Sequence, residues 1–219
     1  MNFTIVPVDA VRDAPLLHNW MSRDYARFWG MTHASRQEVE NEYARIAADP
    51  HHQAWLGLED GTPAFLAESY APAHSPLAGH YAVQPGDTGL HLLVGPPEHP
   101  RSGFTTAVFR SVLDFLFAQQ NTRRIVVEPD VRNGKIAALN ARMGFLPAGT
   151  ISLPDKDALL SFCTREGYEH VRDLSLPGTP AAAPIPGPTF PPAAPPVPPP
   201  ASPPIPASTP APAPAPFQE

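Results

Sequence analysis

The stretch GLHLLVGPPEHPRSGFTTAVFRSVLDFLFAQQNTRRIVVEPDVRNGKIAALNARMGF, residues 89–145, decides the fold. Residues 89–94 are almost wholly apolar and read as a buried strand. In residues 103–119 the apolar Phe104, Ala107, Val108, Val112, Phe115 and Leu116 recur close to the helical period. Residues 124–128 form a second short apolar strand. Residues 133–143 then form a helix, closed by Gly144 in the C-terminal cap position. Each strand carries one polar residue where an apolar one suits the pattern, His91 in the first and Asp130 beyond the second.

Upstream, residues 3–8 alternate as a strand and residues 13–21 read as a short helix with Leu16, Leu17 and Trp20 on one face. Residues 25–31 (YARFWGM) are aromatic and irregular. Ser35, with Glu38 three residues later, makes a capping box for a helix reaching about residue 48. Residues 54–59 and 63–70 flank Asp60-Gly61, a hairpin signal. A long loop rich in Pro, Ala, His and Gly occupies about 71–87; loops of that length inside a domain are usually functional or disordered. Residues 145–151 and 158–164 read as two closing strands.

Composition divides the chain. Of its 32 prolines, 19 lie in residues 177–219, where Glu219 is the sole charged side chain. Proline neither donates to a ladder nor sits inside a helix, so this tail reads as disordered, extended coil. Residues 1–176 are enough for one α/β domain with a core. A net charge of -6 without a basic run argues against nucleic acid and anionic membrane as partners. No leader pattern and no membrane-length apolar run is evident, which suggests a cytoplasmic protein. A single cysteine, Cys163, excludes an internal disulfide framework, and the histidines share no metal spacing, so no metal is expected. The His51-His52 pair, His80 and His99 read as loop residues.

Residues 96–106 lead into a helix start, where free backbone N–H groups and the positive end of the macrodipole suit a phosphate. Arg101, Ser102, Gly103, Phe104, Thr105 and Thr106 supply a cation, a close backbone approach and two hydroxyls; an ordinary connection has the same look.

The order strand, polar loop, helix, strand, then Asn133 and the Gly144-Phe145 pair resembles the GNAT acyltransferase superfamily. The segments HNWMSRDYARFWGM, AESY (67–70), GDTGLHLLVG (86–95) and VVEPDVRN (126–133) resemble its siderophore-biosynthesis branch, which acylates N-hydroxylysine or lysine. The resemblance implies an α/β fold with a mixed, mostly antiparallel sheet flanked by helices. It implies that acetyl-CoA or a longer acyl-CoA binds along Val94, the 101–106 loop, Asn133 and Asn140, with its pantetheine between two splayed strands. The loop departs from the family's glycine-rich pattern, reading Arg101-Ser102-Gly103-Phe104-Thr105-Thr106. Carried over, His91 and Asp130 are the catalytic pair: His91 as base with Asp130 orienting the acceptor, or the reverse. Where many GNAT enzymes have an acidic tyrosine, this chain has Asn140. Phe28, Trp29, Glu68 and Tyr70 are the implied acceptor-binding residues. The acceptor would be a small amine or hydroxylamine, and a siderophore synthetase a possible partner, with the enzyme a monomer or homodimer. An aminoglycoside-type acetyltransferase and a non-catalytic GNAT-like binding module, with the tail as docking ligand, are the alternatives.

Overall fold

The computed structural model describes residues 1–96, 99 and 101–174; the proline-rich tail read from the sequence lies outside them. Seven strands form one sheet in the order β1-β2-β3-β4-β5-β7-β6: β1 (Phe3–Pro7), β2 (His52–Glu59), β3 (Thr62–Tyr70), β4 (Asp87–Val94), β5 (Arg124–Val127), β6 (Leu146–Ser152) and β7 (Asp157–Thr164). Every pairing is antiparallel except β4 with β5. This mixed, mostly antiparallel sheet is the one expected.

The hairpin between β2 and β3 turns at Asp60 and Gly61, both at positive φ (49° and 82°), the geometry an Asp-Gly pair favours. Five helices cover the sheet: α1 (Ala10–Met21), α2 (Arg36–Ala48), α3 (Phe104–Ala118), α4 (Gly134–Arg142) and α5 (Arg165–Leu174). On one face α1 and α2 bury Leu17, Met21, Val39, Tyr43 and Ile46 against Leu56, Leu66 and Leu93. The other face packs α3 and the Leu139–Phe145 region on Phe65, Ala67, Leu90, Ile125 and Val127. Trp20 is core, 5% exposed.

The capping box of α2 is present, with Ser35 and Glu38 bonded reciprocally. Helix α1 begins three residues before the sequence suggests, because the Asp9 side chain accepts from the Val11 and Arg12 N–H groups. The aromatic 25–31 segment is a 3-10 turn, Asp24–Trp29, ended by Gly30. Helix α5 went unread. It follows β7 with no intervening turn, and Thr164 Oγ1 accepts the Gly167 N–H at 3.1 Å as its start signal. Its Tyr168 is buried and donates to Asp114 at 2.9 Å. The long 71–87 loop is fastened by buried Leu77 and by Tyr81, which bonds Asp87.

What positions the site is the junction of β4 and β5. Their ladder holds for three residue pairs, from Asp87 opposite Arg124 to Gly89 opposite Val126, and then stops. A buried bidentate pair, Arg124 to Asp87 at 2.7 Å on both arms, locks the start of the two strands. Gly89 is required there: a Cβ would stand 2.2 Å from the Tyr70 ring. Beyond Gly89, residues 90–94 still pair with β3 but, among the described residues, have no strand on the β5 side. The sheet therefore opens in its middle.

Candidate active site

A cavity of about 920 Å³ occupies that opening. Its walls come from residues 90–94 of β4, residues 127–130 after β5, Thr105 and Thr106 at the start of α3, Asn133 and Asn140 of α4, and Phe28 and Trp29 of the 3-10 turn. Strand alternation sends Leu90, Leu92 and Val94 to the α3 side and His91 to the α1/α2 side, where Glu68 is its cross-strand partner.

His91 is held from two sides. Its Nε2 lies 2.6 Å from Glu128 Oε1 and its Nδ1 3.2 Å from Glu68 Oε2. Trp29 meets the ring edge-on at 6.2 Å and the Tyr70 ring lies 4.9 Å away. Each carboxylate has further donors. Tyr43 donates to Glu68 at 2.9 Å and Tyr70 to Glu128 at 2.7 Å; Lys156 Nζ is 3.8 Å from Glu128. Burial works against charge on all three central groups, but their contacts, for Glu68 those with His52 and then His91, outweigh it. Glu68 is held at about 2 and Glu128 below the usual carboxylate range. His91 is held up at about 10, with Glu128 the stronger of its two carboxylate partners.

Asp130 lines the same cavity, but no hydrogen bond joins it to His91 among the described residues. Its carboxylate accepts the Arg132 N–H at 2.8 Å and grips the Arg132 guanidinium, which lowers it to about 2. The Arg132 side chain is itself 74% exposed. Asn133, not Asp130, caps α4 through the Ile136 N–H.

The remaining sequence candidates divide. Val94, Thr105, Thr106, Asn133, Asn140, Phe28, Trp29 and Glu68 line the cavity. Gly103 turns at φ +76° as the cap of α3, and among the described residues the N–H groups of Ser102, Gly103, Thr105 and Thr106 have no backbone acceptor. Those donors, with the edge of residues 90–94 that no described strand covers, fit a ligand carrying both a phosphate and an extended amide chain. Phe104 instead turns inward to the core, edge-on to Phe3. Arg101 is drawn away onto Glu59, with its guanidinium over the Phe104 ring. Tyr70 lies behind the cavity, with its hydroxyl on Glu128 and its ring against His91.

Two groups were missed. Glu128 reads in the sequence as the end of an apolar strand, although a lone acid closing a buried strand is itself a signal. His52, expected in a loop, begins β2; its Nε2 is buried 3.4 Å from Glu68 Oε2 without a well-aligned hydrogen bond. Among the described residues no cluster of three or more His, Cys, Asp or Glu could hold a metal, and no helix is long and apolar enough to cross a membrane.

Comparison with known proteins agrees with this geometry. The N-hydroxyputrescine acetyltransferase of Acinetobacter baumannii is 27% identical over 72% of this chain and 75% of its own length. The aminoglycoside N(6')-acetyltransferase type 1 of Klebsiella pneumoniae is 23% identical over 74% of this chain and 84% of its own. The structure of AAC(6')-Ib with ribostamycin and coenzyme A shares the fold, with a TM-score of 0.69 at 22% identity, over 78% of this chain and 98% of that one. The Acetyltransferase (GNAT) domain model matches residues 9–153, from the cap of α1 through β6, and the chain belongs to the GNAT acetyltransferase family.

Proposed function

We propose that this enzyme moves an acyl group from acyl-CoA to the nitrogen of a small N-hydroxylated amine, giving a hydroxamate of the kind used in siderophore biosynthesis. N-hydroxyputrescine, N-hydroxycadaverine, N-hydroxylysine and N-hydroxyornithine are the acceptors of that class. The pantetheine of acetyl-CoA, or of a longer acyl-CoA, would take the free edge of residues 90–94. Its pyrophosphate would take the N–H groups at the start of α3. The hydroxylamine nitrogen then attacks the thioester carbonyl beside His91 and Asp130, and CoA leaves as thiolate.

One observation carries the choice of acceptor. Of the acids that line the cavity, Glu68, Glu128 and Asp130 already hold His91, Lys156 and Arg132 of the protein itself, and Glu42 holds Arg45. Little negative charge is left over for a polycation such as an aminoglycoside. An N-alkylhydroxylamine is much less basic than an alkylamine and arrives neutral at physiological pH, so it needs no unpaired carboxylate. The resemblance to aminoglycoside acetyltransferases makes the polycation the reading to exclude.

A thiol-release assay decides between them, using acetyl-CoA and decanoyl-CoA against N-hydroxyputrescine, N-hydroxylysine, lysine and kanamycin. The proposal expects turnover on the hydroxylamines. Turnover confined to kanamycin would overturn it.

A further inference from the structure

Resting on that reading of the site, we propose that Glu68 and Glu128 are positioning residues that keep His91 permanently charged. His91 is then a fixed cation in the cavity wall, and the proton released by the acceptor nitrogen goes to a carboxylate, Asp130. The sequence suggests His91 as a base; the geometry leaves it no lone pair to use.

A neutral imidazole has one N–H and one acceptor nitrogen, whereas an ionised carboxylate accepts only. Here each ring nitrogen faces a different carboxylate, at 2.6 and 3.2 Å. Only the imidazolium donates to both. The alternative, a neutral ring beside a protonated acid, runs against the surrounding groups. The Tyr43 hydroxyl donates into Glu68, while the Tyr70 hydroxyl and the Lys156 ammonium lie against Glu128, and each of these favours the ionised acid. The upward shift of His91, to about 10, has the same sign.

The ring is 38% exposed, and it looks into the cavity where the acyl carbonyl and the departing sulfur gain negative charge. A preorganised cation there stabilises that charge without transferring a proton. It also answers the absence of a tyrosine acid at Asn140, since the thiolate then leaves beside a positive charge. The step balances simply. A C–N bond forms and the C–S bond breaks, the nitrogen's proton passes to the Asp130 carboxylate, directly or through one water, and CoA leaves as thiolate. Arg132, mostly exposed, must swing off Asp130 for this.

The test uses the full chain labelled with 15N-histidine. At pH 8 the wild-type His91 is expected to show two protonated nitrogens. In Glu128→Gln, with one of the two carboxylates gone, it should lose its second proton at a lower pH than in wild type. Its kcat with acetyl-CoA and N-hydroxyputrescine should fall as His91 deprotonates, by about 10²-fold at pH 8, the loss typical of one removed charge-stabilising donor. Glu128→Asp should restore both the spectrum and most of the rate. Glu68→Gln provides the same readings if Glu128→Gln does not fold. A lone-pair nitrogen on wild-type His91 at pH 8 overturns the proposal, as does a Glu128→Gln rate that rises when His91 loses its proton. The spectrum needs no acceptor turnover. A charged His91 in a protein inactive on hydroxylamines would support the clamp and sink the acceptor assignment alone.

Discussion

At the scale of single residues, the clamp around His91 sets a pH window for stability as well as for catalysis. His91 is raised in the folded state, so its contribution is complete below its unfolded value near 6.5 and is lost as pH rises through about 10. Glu68 is depressed, so its contribution is present above its unfolded value near 4.5 and is lost as pH falls through about 2. The two together give a plateau between roughly pH 4.5 and 6.5. Thermal melts of wild type and His91→Gln test this. The wild-type advantage should be largest at the plateau and shrink steadily toward pH 10. An advantage that stays constant from pH 6 to 10 would show that His91 is not charged by its neighbours.

At the scale of elements, the open sheet depends on how β4 and β5 are tied at one end. Arg124 and Asp87, with side chains 9% and 1% exposed, form the tie. Removing one partner of such a buried pair leaves the other charge uncompensated, at a cost of about 3–5 kcal/mol. Arg124→Met should therefore lower the urea-unfolding free energy by that amount, and a change under 1 kcal/mol would show that the junction is held otherwise. This tie was not legible in the sequence, because Asp87 and Arg124 are 37 positions apart and each looks like an ordinary strand-end charge. Local signals fared better. The Asp60-Gly61 turn, the Ser35 capping box and the apolar period of α3 each rest on neighbours in sequence, and each stands in the fold. Helix α5 escaped because the usual break before a helix is missing and Thr164 serves both β7 and the helix start. The site was half legible. His91 and Asp130 stood out as polar residues in apolar surroundings, whereas the roles of Glu128 and His52 exist only through contacts across strands.

At the scale of the whole molecule, two helical layers and a split sheet leave one large cavity with balanced internal charge. The acidic protein surface, net -6, does not translate into an acidic cavity, because the deep carboxylates are matched by His91, Lys156 and Arg132. That balance is the central claim, since it selects a neutral nucleophile over a cation. The most direct measurement is the ratio of kcat/KM for N-hydroxyputrescine to that for putrescine, with acetyl-CoA at pH 7.4. An alkylamine with a pKa near that of lysine, about 10.4, is neutral to only about one part in 10³ at that pH. The hydroxylamine should therefore be preferred by at least about 10³-fold, narrowing as pH rises toward 10. Equal efficiency on the two amines at pH 7.4, or a preference for putrescine, would contradict it.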